Sequence, residues 1–214
     1  MKDIILLKQG EVVLKGLNRR YFEQRLVSNI RKRLKPMGNF KVYCVQSTVY
    51  VEPEDDFADM DAAFDALGKT FGVVALSRAA ACEKDEDAIA KLAIEYLRED
   101  MLAAESFKVE TKRSDKSFHM TSIQLSQYVG GLLAEAYPDT RVDVRHPELT
   151  VHLEVRDYAA YGHAAPTPGA GGLPVGSNGR AVTLLSGGID SPVSTWMITR
   201  RGVRCIPVHF FSFP

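Results

Sequence analysis

Near the C-terminal end of the sequence, two apolar runs flank Ser186-Gly187-Gly188-Ile189-Asp190-Ser191-Pro192. These residue types suit an anion. Two glycines let a backbone approach a phosphate without a Cβ in the way, and they take up left-handed φ where a turn needs it. The amides that open a following helix, at the positive end of its dipole, bind negative charge. Ser186 and Ser191 add hydroxyl donors, and Pro192 suits a first helical turn, where its missing N–H costs little. Asp190 would repel a phosphate unless a cation stood between them, so its chemistry is to hold Mg²⁺, directly or through water. The loop has neither the G-x-x-x-x-G-K-[ST] nor the G-x-G-x-x-G pattern. A glycine-rich strand-to-helix turn capped by Asp190 or Ser191 would use the same residues without a ligand; Ser, Asp and Ser together favour the phosphate.

Such a loop needs a strand before it and a helix after it. Ala181 to Leu185 reads as a buried strand, a helix follows to about Arg200, and Val203 to Phe210 reads as a second strand. This β-loop-α-β order opens a doubly wound parallel sheet. Upstream, Gly162 to Gly179 collects proline and glycine without periodicity, which predicts a linker between units that move relative to one another.

The first part of the chain has a different grammar. Residues 3–8 read as a strand. Asn18 is placed to cap a helix whose Phe22, Leu26, Ile30 and Leu34 form an apolar stripe, with Pro36 and Gly38 ending it. Alternation at Phe40, Val42 and Cys44, and again at Val49 and Val51 after Gln46-Ser47, predicts a hairpin. A helix from Phe57 to Leu67, closed by Gly68, and a strand from Val73 to Cys82 complete a β-α-β-β-α-β order, the split pattern of a ferredoxin-like fold. A second unit starts near Asp85. It has a helix carrying Ile89, Leu92, Ala93, Tyr96 and Leu97, a strand from Phe107, and a helix from about Ser122 with Leu125, Val129, Leu132 and Leu133 inward. Arg141–Val144 and Leu149–Val155 are expected to pair as a hairpin around His146-Pro147-Glu148. The fold class is α/β: two α+β modules, then the start of a parallel sheet.

With 45% hydrophobic and 25% charged residues, the 214-residue chain is ordinary for a globular protein. No apolar run approaches the ~20 residues that span a bilayer. Cys44, Cys82 and Cys205 are far apart and form no C-x-x-C, which fits a reducing cytosol and buried apolar roles better than a disulfide framework or a zinc site. The formal charge is zero but unevenly spread. Arg19, Arg20, Arg25, Arg31, Lys32, Arg33 and Lys35 fall between Lys15 and Lys41, opposed only by Glu23, whereas residues 52–65 carry acids alone. A basic face that attracts phosphates is compatible with such a distribution, as is a solvated helix surface. The histidines show no metal spacing, and Trp196 is expected in a core.

In combination these segments resemble a known family. Ser186 to Ser191 resembles the pyrophosphate-binding loop of the ATP-pyrophosphatases. Lys8 to Glu23 (KQGEVVLKGLNRRYFE) resembles the opening of the tRNA 4-thiouridine synthetases, also called tRNA sulfurtransferases or thiamine-biosynthesis sulfur-transfer proteins. Residues from about 76 to 162 resemble a THUMP RNA-binding module, and GLPVGSNGRAVTLLSGGIDSPVSTWMITRRGV resembles the family's linker and loop. Gln9 and Phe211 depart from residues more usual there, Tyr and His. The resemblance implies a ferredoxin-like domain over 1–75, THUMP over 76–165 (or from about 60), a linker over 166–179 and the start of the pyrophosphatase domain over 180–214.

It also implies an activity: ATP-dependent thiolation of a tRNA uridine, in which the uridine oxygen is adenylated and a persulfide brings the sulfur, with a link to thiamine thiazole synthesis. The implied ATP contacts are Leu184, Leu185, Ser186, Gly187, Gly188, Asp190, Ser191, His209 and Phe210. Asp190 would be the catalytic and Mg²⁺-holding residue. Lys15, Arg19, Arg20, Lys112, Arg113 and Lys116 are the phosphate contacts proposed for tRNA. Implied partners are tRNA and a cysteine desulfurase or other persulfide donor, in the cytoplasm and with no membrane; a homodimer is left open. Two other readings stand beside this one, a tRNA-binding piece without catalysis and a different ATP-pyrophosphatase. The family's sheet needs more strands than residues 180–214 supply, so a fragment is expected, its tail poorly ordered or packed on a partner chain, with the sulfur-carrying cysteine beyond it and not at Cys205.

Overall fold

A computed structural model describes residues 1–211 and divides them into two compact units. One, the terminal unit, holds Leu6–Leu76 and the residues from Thr167 on. The other, the central unit, holds Met1–Ile5 and Ser77–Pro166.

The terminal unit begins with β1 (Lys2–Gln9), α1 (Arg19–Leu34), β2 (Phe40–Val45), β3 (Thr48–Pro53), α2 (Met60–Gly68) and β4 (Val73–Cys82). β1 and β4 contribute residues to both units. The strand order β2-β3-β1-β4 places the two halves of the split pattern side by side, as the sequence order requires. The α1 stripe is the buried one: Phe22, Leu26, Ile30 and Leu34 are its buried residues. Asn18 precedes the helix, but its side chain makes no capping bond. The hairpin turns on Gln46 and Ser47, both at positive φ (47° and 65°), the conformation that matches a two-residue turn to the strand twist. α2 starts later than expected, at Met60, because the Asp59 carboxylate accepts from the Ala62 amide and fixes the cap there.

In the central unit, α3 (Glu86–Tyr96) and α4 (Arg98–Ala103) are followed by β5 (Ser106–Arg113), α5 (Ser122–Ala136), β6 (Arg141–Val142), β7 (Leu149–Val155) and β8 (Ala160–His163). Leu125, Val129 and Leu133 of α5 pack with Ile89, Ala93, Phe107, Val151 and Leu153 in one core. The expected hairpin between Arg141–Val144 and Leu149–Val155 does not form. Both strands pair in parallel with β5, which lies between them, and β6 stops after two residues. Alternation fixes which face a strand buries and leaves the choice of neighbour open. Here the Asp143 carboxylate accepts from the Arg145 and His146 amides and ends the strand.

The glycine- and proline-rich stretch after β8 is hydrogen-bonded along most of its length. β9 (Thr167–Pro168) pairs with β4, and the amides of Gly169, Ala170 and Gly171 bond to the carbonyls of Val74, Gly68 and Val73. Leu173 is buried with Val12 and Phe22, and its amide bonds to Arg200. From Thr167 on, this stretch is a strap within the terminal unit. Its glycines serve close approach: a Cβ on Gly172, at φ +72°, would lie 2.3 Å from the Arg200 carbonyl oxygen. Residues 180–208 form β10 (Arg180–Leu184), α6 (Asp190–Arg200) and β11 (Arg204–Val208), with β10 and β11 parallel. The final residues of the expected 180–214 segment, 212–214, lie outside the described residues.

Candidate functional site

The loop from Leu185 to Ile189 leaves the carboxyl end of β10 and enters α6. Parallel-sheet proteins bind ligands at that edge. The two serines expected to face a phosphate tie the loop's ends together. The Ser186 amide donates to Ser191 Oγ at 2.9 Å, and the two hydroxyls lie 3.0 Å apart. Gly188 N–H reaches Ser186 Oγ at 3.3 Å.

Neither Gly187 nor Gly188 has positive φ, so the turn itself does not need their freedom. What they leave is space: a Cβ on Gly187 would meet nothing within 4 Å, and one on Gly188 only Ser186 Oγ at 3.6 Å. Asp190 is the first residue of α6 and is exposed, and its carboxylate has no partner among the described residues. No group of three metal-binding side chains occurs among the described residues.

The next strand closes the site from the side. Leu185 N–H donates to the Val208 carbonyl at 2.8 Å, and His209 Nδ1 lies 2.8 Å from the Leu185 carbonyl oxygen, so His209 is brought to the base of the loop. Leu184 and Phe210 are exposed, at the end of β10 and just past β11. Trp196, expected in a core, is 48% exposed; it meets the Phe71 ring edge-on and lies under the Arg200 guanidinium.

The expected RNA-contact residues divide by what they touch. Arg19 is bound to Glu23 at 2.8 Å and to Ser47 Oγ at 2.6 Å, and Lys15 lies over the Phe22 ring. Arg113 donates to the carbonyls of Phe118 and Met120, both at 2.8 Å, and so ties down the loop after β5. Arg20, Lys112 and Lys116 are exposed. Lys112 also borders a groove of about 610 Å³ between β5 and α5. Cys44 and Cys82 are half-buried, and burial pushes both thiols up, Cys82 to about 11, away from the thiolate form that reacts. Sequence reasoning missed the strap, in whose run of glycines Gly169 and Gly172 sit against backbone carbonyls of Val73 and Arg200.

A split α/β layer, a second α+β unit and a strand-loop-helix-strand with a parallel pair define a protein of two α+β modules joined to a parallel α/β segment. Comparison with known proteins agrees segment by segment. Residues 4–77 match the ThiI ferredoxin-like domain, 83–161 the THUMP domain, and 176–214 the thiamine biosynthesis protein (ThiI) family. Among curated relatives, “Probable tRNA sulfurtransferase” of Alkaliphilus oremlandii is 43% identical over 100% of this chain and 55% of its own length. Its namesake in Acetivibrio thermocellus is 41% identical with the same coverage. A crystal structure described as a 4-thiouridine synthetase–RNA complex with bound ATP superposes with TM-score 0.87 at 32% identity, covering 100% of this chain and 54% of that one. PH1313 from Pyrococcus horikoshii shares the fold, with TM-score 0.85 at 23% identity over 97% of this chain and 69% of that one.

The chain belongs to the ThiI family. It spans about half the length of the curated relatives it matches.

Proposed function

We propose that this chain is the RNA-holding and nucleotide-loop part of an ATP-dependent tRNA sulfurtransferase that makes 4-thiouridine. The observation that carries this reading is the Ser186–Ser191 loop, tied by its own serines and open at both glycines, at the carboxyl edge of a parallel strand pair. A related protein bound to both RNA and ATP supports it.

In this reading the α6 amides and the backbone at Gly187 and Gly188 cradle the nucleotide's phosphates. Asp190 carries Mg²⁺. With one protein carboxylate at hand, the ion would take most of its ligands from phosphate and water, as Mg²⁺ commonly does. ATP supplies the adenylyl group that makes a uridine carbonyl oxygen a good leaving group. His209, anchored on the Leu185 carbonyl, holds the loop's base against β11. Leu184 and Phe210 offer apolar surface for the adenine, and Arg20, Lys112 and Lys116 contact tRNA phosphates.

Sulfur would reach the uridine from a cysteine desulfurase or another persulfide donor, through a cysteine other than Cys44, Cys82 and Cys205. The same sulfur would serve thiazole synthesis for thiamine. No helix of the described residues is long and apolar enough to cross a membrane. A tRNA substrate places the working protein in the cytoplasm.

The test uses the complete gene product with unmodified tRNA, Mg²⁺-ATP and a persulfide donor. Thiouridine formation with release of AMP and pyrophosphate is expected, together with a fall of about 10- to 100-fold or more in Asp190→Asn, the scale on which groups supporting a metal site act. Full activity in that variant, or activity without ATP, would overturn the reading.

A further inference from the structure

The terminal unit carries a second charged feature that the loop chemistry does not use. A groove of about 500 Å³ runs between α1, the turn from α2 to β4, the strap and α6. Lys32 and Arg33 of α1 and Lys69 of the turn supply three cations, and no carboxylate lines the groove. None of the three has an ion-pair partner among the described residues. All three are exposed.

The neutral groups beside them are acceptors. Thr199 Oγ1 donates its proton to the Thr195 carbonyl at 2.7 Å, and Thr70 Oγ1 to the Ala66 carbonyl at 3.0 Å, so each hydroxyl oxygen has only lone pairs left to offer. Asn29 gives one amide hydrogen to the Val175 carbonyl at 3.0 Å and keeps its oxygen. Cations that no acid neutralises, next to oxygens that can only accept, match a ligand with anionic groups and neutral hydroxyls. A ribose-phosphate chain has both, and its 2′-hydroxyl is what separates RNA from DNA.

The length of the basic track decides between RNA and an acidic peptide. Lys32 also lines the neighbouring groove between α1 and β2, together with Arg20, Arg31 and Lys35. From residue 20 to 35 at about 1.5 Å per residue, the track extends over about 22 Å of helix. Glu23 also lines that second groove, but its carboxylate is held by Arg19 at 2.8 Å, and the excess of cations that remains along the track fits a uniformly charged backbone.

We propose that this groove binds the ribose-phosphate backbone of RNA, with Lys32, Arg33 and Lys69 on phosphates and Asn29 and Thr199 accepting from 2′-hydroxyls. The proposal rests on the RNA-binding part of the function proposed above, and it adds a contact surface reaching α6, the helix that the nucleotide loop opens.

The test measures binding of the 214-residue chain to unmodified tRNA by fluorescence anisotropy across a salt series. Replacing Lys32, Arg33 and Lys69 together by Gln is expected to weaken binding about tenfold or more and to flatten the log–log salt slope by roughly 2 to 3, at about 0.7–0.9 per phosphate contact. A control that removes the same charge elsewhere, Lys91→Gln with Arg98→Gln and Arg145→Gln, should leave the slope unchanged. Equal losses in the two triples, or an unchanged slope in the first, would overturn the groove. Thr199→Val should narrow the preference for an RNA strand over DNA of the same sequence, and an unchanged preference removes the hydroxyl contact. Competition by a polyglutamate peptide that depends on the same three cations would assign the groove to an acidic protein instead. Thiolation is not needed for any arm. Wild-type chain that binds no tRNA at low salt sinks the RNA reading as a whole, whereas wild-type binding with an indifferent triple variant sinks the groove alone.

Discussion

Helices α5 and α6 both follow a strand of a parallel pair, yet they are held in opposite ways. α5 begins with a reciprocal cap, the Thr121 hydroxyl accepting from the Gln124 amide and the Gln124 side chain from the Thr121 amide, and it buries Leu125, Val129 and Leu133. α6 has no side-chain cap and no buried residue. Its Val193, Trp196 and Met197 are about half exposed. The first helix is set by packing. The second is set by two serines at its start and by the strap at its end, where Leu173 bonds to Arg200 and Arg201 pairs with Glu11 at 3.0 Å. A strand-to-helix loop can therefore take its shape from a few hydrogen bonds even where its helix buries no side chain.

The comparison breaks most visibly on core truncation. Leu133→Ala should lower stability by about 2–5 kcal/mol, through lost transfer energy and the cavity left behind. Met197→Ala in α6 should change it by less than about 0.5 kcal/mol. Urea unfolding followed by circular dichroism reads the first. The protein's single tryptophan, Trp196, reports the second region by fluorescence. Equal shifts in the two variants would show that α6 has a core after all.

Next in size is the strap. Gly172→Ala puts a side chain at φ +72° and a Cβ 2.3 Å from the Arg200 carbonyl oxygen. The backbone conformation alone costs about 1–2 kcal/mol, and the clash adds to it. Since Arg200 lies over the Trp196 ring, the emission of Trp196 should change as well. A silent variant would return the stretch to the flexible linker that its composition suggests.

The caps sharpen the contrast further. Thr121→Ala should cost about 1 kcal/mol. Asp190→Asn removes no capping bond and should cost less, limited to the carboxylate's interaction with the helix dipole, under about 1 kcal/mol. It should nevertheless abolish Mg²⁺-dependent nucleotide binding, measured by calorimetry. Loss of folding in Asp190→Asn would mean that the residue is structural.

What the sequence makes legible follows from these same forces. The α1 stripe, the Gln46-Ser47 turn and the β10-loop-α6 order are readable because period and turn chemistry are local. The partner of Arg141–Val142 is not, because an alternating strand carries no label for its neighbour, and β5 claims it. Composition alone reads the strap as a hinge, since glycine there stands for freedom, whereas in the fold Gly169 and Gly172 mark backbone against backbone. At the loop, residue types are enough to place the turn between β10 and α6. The inward use of Ser186 and Ser191, and the structural tasks of Arg19 and Arg113, depend on side-chain contacts that spacing does not encode.

The smallest expected effect is a pH slope that belongs to the central unit. His152 of β7 pairs in register with His163 of β8, and the rings stack at 5.1 Å. Burial, and then the neighbouring His163, hold the His152 imidazole below its ordinary value, with Lys112 acting the same way and Glu110 and Glu154 opposing. The folded protein therefore resists a proton that the unfolded chain accepts near ~6.5. Stability from this group is complete above that pH and is lost as pH falls below it, levelling once the folded imidazole is protonated too. The loss should be small, because the two glutamates beside the ring offset part of what burial does. Asp115, bound by Lys84 and Ser117, and Asp143, bound by the His146 and Arg145 amides, are held below the carboxylate range, so their contributions fall away only at lower pH. The two windows separate in a titration of the unfolding midpoint. His152→Gln should remove the slope just below pH ~6.5 and leave the acid limb in place. A slope that survives the substitution, or that appears equally in the Trp196 signal, would move its origin out of the central unit.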